Sequence, residues 1–101
     1  MKQIIDGKRY DTRTATEVAD FWNGLGAGDF ASLQETLYRT PRGRWFLVGH
    51  GGAQTRYAES SGNTVYGSSR IIALTENEAR AFCERHADAD VYEQYFTAEI
   101  A

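Results

Sequence analysis

The side chains of this sequence that could do chemistry are two histidines, one cysteine and a run of arginines in the middle third. His50 stands in Gly49-His50-Gly51-Gly52. An imidazole flanked by glycines can come close to a substrate and titrates near neutrality. No G-x-S-x-G elbow and no Lys-Ser/Thr phosphate-loop ending accompanies it, so the expectation is a histidine at a turn. Cys83 is a nucleophile only where a base and an electropositive setting activate it. It lies on an apolar helical stripe beside Phe82, which predicts a buried structural thiol. His86, one turn on, reads as a boundary residue. A Cys83–His86 pair lacks the two further ligands that zinc needs, so no metal is expected, and a chain of 101 residues is too small for a two-domain enzyme with a cofactor cleft between its domains, so no cofactor is expected.

Arg39, Arg42 and Arg44 interleave with Tyr38 and Trp45, a basic and aromatic mixture that can grip a nucleic-acid backbone. The net charge of −3 and pI near 5.3 count against nucleic acid as the main partner, because phosphate neutralisation supplies most of such affinity. Charge is also unevenly distributed. From Arg39 to Arg70 five arginines face Glu59 alone, a balance of +4, whereas from Glu76 to Ala101 seven acids face two arginines, a balance of −5. The acids Glu84, Asp88, Asp90 and Glu93 can imitate a row of phosphates and occupy a partner's basic channel. The plain alternative is that both sets are solvated faces.

The elements that must position these residues can be read from pattern. Gln34 to Ala58 is organised as an antiparallel hairpin around Thr40-Pro41-Arg42-Gly43, where Pro41 presets φ and Gly43 takes the left-handed position. Trp45 to Val48 has no polar break, so both faces of that strand should be covered. The glycines at 49, 51 and 52 are expected to end it. Before the hairpin, Asp6-Gly7 between Lys2–Ile5 and Lys8–Tyr10 predicts a two-residue turn in an opening ribbon. Thr14 and Glu17 then form a capping box, and Ala15, Val18, Ala19, Trp22 and Leu25 recur at helical spacing. This predicts a first helix over Ala15 to Asn23 with Phe21 and Trp22 as core anchors.

After the hairpin, Gln54 to Glu59 and Thr64 to Tyr66 are expected as short strands, with loops at Ser60–Asn63 and Gly67–Ser69. Arg70 to Leu74 reads as the last strand. Thr75 and Glu78 form a second capping box, opening a helix with Ala79, Phe82, Cys83, His86 and Ala87 on its apolar side. A cap at Asp90 to Glu93 and the residues Val91, Tyr92, Tyr95, Phe96 and Ile100 predict a final short helix that makes a corner with its predecessor over one sheet face. The expected fold is thus α+β, one domain over residues 1–101: an antiparallel sheet of about four or five strands packed by an N-terminal helix and a C-terminal helix pair.

With 101 residues, 42% of them apolar, the chain can bury a single core. It has no apolar run near the roughly 20 residues that span a bilayer, and its first residues lack a signal-peptide core. Its single cysteine agrees with a reducing compartment. A cytoplasmic location is the expectation.

The pattern K-x-I-I-x-G-K-R-Y-D-T at Lys2 to Thr12, E-T-L-Y-R-T-x-x-G-x-x-F-L-x-G-x-G-G at Glu35 to Gly52, Tyr57-Ala58, and I-I-x-L-T-x-x-E-A at Ile71 to Ala79 is similar to a group of small proteins of bacterial mobile elements and phages. Small acidic phage proteins of this size resemble anti-CRISPR inhibitors. That resemblance implies a non-enzymatic inhibitor that binds a Cas-type effector and blocks its access to nucleic acid. It carries no binding residues, so the expected contacts, Tyr38, Arg39, Arg42, Arg44, Glu84, Asp88, Asp90 and Glu93, come from surface chemistry. The competing expectations are a small nucleic-acid-binding or regulatory protein that uses the arginine hairpin, and an enzyme built on His50.

Overall fold

A computed structural model describes all 101 residues. In chain order the elements are β1 (Lys2–Ile5), β2 (Lys8–Asp11), β3 (Thr16–Trp22), β4 (Leu33–Arg39), β5 (Trp45–Gly51), β6 (Glu59–Ser61), β7 (Thr64–Tyr66), β8 (Ser68–Leu74), α1 (Glu76–His86) and α2 (Ala89–Tyr95). The central sheet is four-stranded and antiparallel, in the order β3-β4-β5-β8, with β1-β2 and β6-β7 as separate two-stranded ribbons. The fold is therefore α+β as expected, but both helices are C-terminal.

Several turns follow from local chemistry alone. Asp6 and Gly7 both have positive φ (51° and 74°), the requirement of the tight turn that Asp-Gly favours. Gly43 sits at φ 82°, and its N–H donates to the Thr40 carbonyl at 2.9 Å. The capping box is complete: Thr75 accepts from the Glu78 N–H and the Glu78 carboxylate accepts from the Thr75 N–H. For α2 the cap is Asp88, whose carboxylate accepts from the Val91 N–H at 3.0 Å, two residues earlier than the expected Asp90. The helix ends at Tyr95 and leaves Ile100 exposed outside it.

The first helix predicted by spacing is strand β3. Its register shifts by a bulge between Glu17 and Ala19, and a bulge breaks strict side-chain alternation. Val18, Ala19 and Phe21 consequently all pack against the same core cluster, which imitates helical periodicity in the sequence. Pairing with six residues of β4, Gln34 to Arg39, prevails over the local cap signal at Thr14. Phe21 is a core contact as expected. Trp22 is not: it is 58% exposed.

The second departure is β5, which runs through Gly49-His50-Gly51 and stays paired to β4 and β8 along its length. None of these glycines has a positive φ. They serve close approach: a Cβ on Gly49 would collide with the Tyr57 phenol, and one on Gly51 with the Thr55 side chain. His50 is thus a strand residue, not a turn residue. The expected strand at Gln54–Glu59 is a series of turns, the loop expected at Ser60–Asn63 is mostly the β6–β7 ribbon, and β8 begins at Ser68 instead of Arg70.

The sheet has two differently treated faces. On one, Leu37, Trp45 and Leu47 are buried under Ala79, Phe82 and Cys83 of α1 and Phe96 at the end of α2. Phe96 stacks on Trp45 at 5.2 Å. On the other, Phe46 and Ile71 are buried beneath Tyr10 of the β1–β2 ribbon, with Tyr38 stacked on Phe46 at 5.2 Å. No helix is long and apolar enough to cross a membrane.

Candidate functional site

The cross-strand register places Trp22, Gln34, His50 and Ser69 side by side in one row across all four strands. This row lies on the ribbon-side face, beyond the reach of Tyr10. It forms the floor of an opening of about 580 Å³, walled by the Leu25–Phe30 segment and by Val65 to Ser69. Of eight exposed large apolar residues in the chain, five (Trp22, Leu25, Phe30, Val65 and Tyr66) line this groove. Such clustering separates a contact surface from the ordinary scatter of apolar side chains over an exterior.

Local bonding fixes the walls. The Trp22 indole N–H donates to the Leu25 carbonyl at 2.8 Å, and the Ser32 hydroxyl donates to the same oxygen at 3.0 Å. The Asn23 side chain donates to the Ala31 carbonyl and accepts from the Leu33 N–H, while the Asp29 carboxylate accepts from the Ala31 N–H at 2.8 Å. The segment is stitched to the end of β5 by Gly52 N–H to the Ser32 carbonyl and Gln54 N–H to the Phe30 carbonyl. Backbones meet so closely that a Cβ on Gly52 would strike the Phe30 carbonyl and one on Gly67 the Gly51 carbonyl. The opposite wall is less supported, since all six residues of β6 and β7 are exposed.

This arrangement offers stacking surfaces in Trp22, Phe30 and Tyr66, and hydrogen-bonding groups in Gln34, His50 and Ser69. Its carboxylate, Asp29, is engaged by backbone and lies on the wall, not in the row that holds His50.

On the helix-side face, directly behind the groove, Glu35 is buried and accepts a 2.5 Å hydrogen bond from the buried Tyr57 hydroxyl. Arg56 lies 3.5 Å from the same carboxylate oxygen. Arg56 and Arg70 sit over the Tyr57 ring at 5.5 and 5.3 Å, and Arg70 donates to the Arg56 carbonyl at 2.6 Å. Burial, followed by the hydrogen bond and the charge of Glu35, pushes the Tyr57 phenol far above its ordinary value of 10. The network is a latch: it holds residues 53–58, which lie between β5 and β6, against β4.

The residues singled out from sequence disperse. Tyr38 and Arg39, being adjacent on β4, point to opposite faces. Tyr38 packs on Phe46, and its phenol is raised by burial and then by Glu17. Arg39 lies over Trp45 and Tyr95 at 5.2 and 5.6 Å, with its buried Nε lacking an acceptor. Arg42 and Arg44 remain exposed at the β4–β5 turn, where Lys8 and Arg9 join them around a cleft. Glu84, Asp88 and Glu93 line a shallow hollow on the two helices, and Asp90 is exposed on α2 outside it. Cys83 is fully buried and its thiol is raised by burial. His86 stacks on Phe21 at 4.1 Å and meets Phe82 edge-on at 4.8 Å, and burial, then Arg85, lowers its pKa.

The groove residues Trp22, Phe30, Val65 and Tyr66 were missed by sequence reasoning. The available signal was Gly24-Leu25-Gly26-Ala27-Gly28, which marks Trp22 as the last residue before a long turn and so leaves its ring at an element's end. An open antiparallel sheet with an aromatic-lined groove defines the class: a small α+β protein with one face of its sheet partly bare. Compared with known protein families, curated proteins and solved structures, the chain matches none.

Proposed function

We propose that this chain is a non-enzymatic binding protein that seats a protein partner in the Trp22–His50–Tyr66 groove. Its resemblance to small phage proteins and anti-CRISPR inhibitors supplies the partner class, a cytoplasmic Cas-type effector whose access to nucleic acid is blocked by the bound chain. The observation that carries the contact surface is the gathering of five exposed large apolar residues on one open groove. Trp and Tyr are the residue types that dominate interface energetics, and polar groups such as Gln34 and His50 among them give direction to the contact. The β6–β7 ribbon supports the same reading. An isolated two-stranded ribbon is marginal in water, and a partner lying across Val65 and Tyr66 would supply the missing cover.

Shape adds to this. The molecule measures 49 × 34 × 20 Å with a radius of gyration of 14.9 Å, against about 13 Å for a compact domain of this length. Only 13 of 101 residues are buried, so most of the chain is at least partly accessible to a partner.

The test is retention of target DNA by a purified Cas effector complex titrated with the chain. The intact chain should abolish retention, and Trp22→Ala with Tyr66→Ala should restore it while leaving the circular dichroism of the fold unchanged. DNA retention that is indifferent to the intact chain across representative effector types contradicts the partner class. Inhibition that survives the double substitution contradicts the surface.

A further inference from the structure

At the opposite end of the ribbon-side face from the groove, β2 and the β4–β5 turn enclose a cleft of about 460 Å³. Lys8 and Arg9 project from one wall, Arg42 and Arg44 from the other, and Thr14 and Thr40 stand between them. All four cations are exposed, and none is within salt-bridge distance of a carboxylate; the ion pair in this molecule is Arg56–Glu35. The cleft's one acid, Asp11, is occupied by accepting from the Arg13 N–H at 2.9 Å. Four cations against the single Asp11 carboxylate leave a balance of +3 around one concavity, a local reversal of the chain's net charge of −3. The two walls are fixed relative to the sheet by the Tyr10–Phe46 edge contact at 5.4 Å, which docks the ribbon, and by the hydrogen-bonded turn at Thr40–Gly43.

We propose that this cleft binds the phosphate groups of a nucleic-acid backbone. Three of the four cations are guanidinium groups, whose fork of donors matches phosphate oxygens in pairs. The Thr40 hydroxyl accepts from the Arg44 N–H at 3.0 Å and keeps its own proton to donate. A membrane surface fits less well, because the site is concave and its apolar lining is Tyr10, which is buried, and Pro41, with no exposed apolar side chain to insert among lipids. No exposed aromatic ring lines the cleft either, so bases are not stacked there and the backbone is bound without sequence preference. The site is separate from the groove and does not depend on the protein-binding role proposed for it.

Fluorescence anisotropy of a short labelled single-stranded DNA tests this on the intact chain. Binding should weaken with salt along a log–log slope of about −3, as four phosphate contacts give on a single strand. Arg42→Glu with Arg44→Glu should lower affinity at least roughly tenfold at low salt, and Lys8→Gln with Arg9→Gln should lower both the affinity and the slope. The two pairs lie on different elements, so a folding failure in one leaves the other to decide. Trp22→Ala should leave the affinity unchanged. The proposal is overturned by absence of binding at low salt, by a slope insensitive to both pairs, or by loss of binding in Trp22→Ala. It is equally overturned if poly-glutamate or phosphatidylserine vesicles of equal charge bind as tightly as the oligonucleotide.

Discussion

On one face of the central sheet Leu37, Trp45 and Leu47 lie sealed beneath Phe82, Cys83 and Phe96; on the other, the row Trp22, Gln34, His50 and Ser69 lies open. Strands β4 and β5 supply residues to both rows. The difference comes from the covering elements. Helix α1 has 11 residues and spans about 16 Å, and α2 adds a second body beside it. The ribbon over the other face has strands of four residues, about 13 Å long, against about 23 Å for the seven-residue strands beneath it. It can cover one half of its face, and the half it leaves bare is where the exposed aromatics collect. Side chains under the helices hold the fold, while Trp22, Phe30, Val65 and Tyr66 on the bare half stay exposed.

Substitutions on the two faces should therefore separate stability from binding. The largest effect is expected for Phe82→Ala, which empties a fully packed site between α1 and the sheet and should lower unfolding free energy by about 3–5 kcal/mol in a urea titration. Trp22→Ala should cost under about 1 kcal/mol in the same measurement; equal losses at the two sites would erase the distinction between faces. Gly49→Ala places a Cβ against the Tyr57 phenol and should cost about 1–3 kcal/mol, whereas Gly26→Ala, where a Cβ meets nothing, should be close to neutral.

A third comparison sets Tyr57→Phe against Tyr66→Phe. The first leaves the buried Glu35 without its phenol donor and should cost about 1–3 kcal/mol, and the second should change stability by less than about 0.5 kcal/mol. Tyr57 also predicts a pH dependence. Its folded pKa is raised above the unfolded value of 10, so its contribution is constant below pH 10 and is lost as pH rises beyond it. Tyr57→Phe should remove its part of that alkaline decline. The smallest effect belongs to His86, whose folded pKa is lowered from 6.5 by burial and by Arg85. The unfolded chain takes up that proton first, so stability is intact above pH 6.5 and declines as pH falls through the folded value. In His86→Gln this acid-side step should disappear.

Much of the sealed half was legible in the sequence. The Asp6-Gly7 turn, the Thr40–Gly43 turn, the unbroken apolar run Trp45 to Val48, β8 and the Thr75–Glu78 box are short-range signals that fix their own geometry. What escaped depends on distant residues. The bulge in β3 made a strand look helical because Val18, Ala19 and Phe21 share one face. Gly49 looked like a strand terminator because the reason for it, Tyr57, lies eight positions further on and acts through space. The groove joins Trp22 and Phe30 to His50 and Tyr66, and the basic cleft joins Lys8 and Arg9 to Arg42 and Arg44. Neither constellation has a local spacing to read. Arg42 and Arg44 were found from local composition, and their partners required the ribbon's docking to be known.

The most direct test of the open half as the contact surface is amide hydrogen exchange on the chain, alone and mixed with the proposed Cas-type effector. Protection should appear at Trp22 to Phe30 and at Glu59 to Gly67, with α1 and α2 unchanged. A footprint confined to the helices around Glu84, Asp88 and Glu93, with exchange in the groove walls unaltered, would contradict the account.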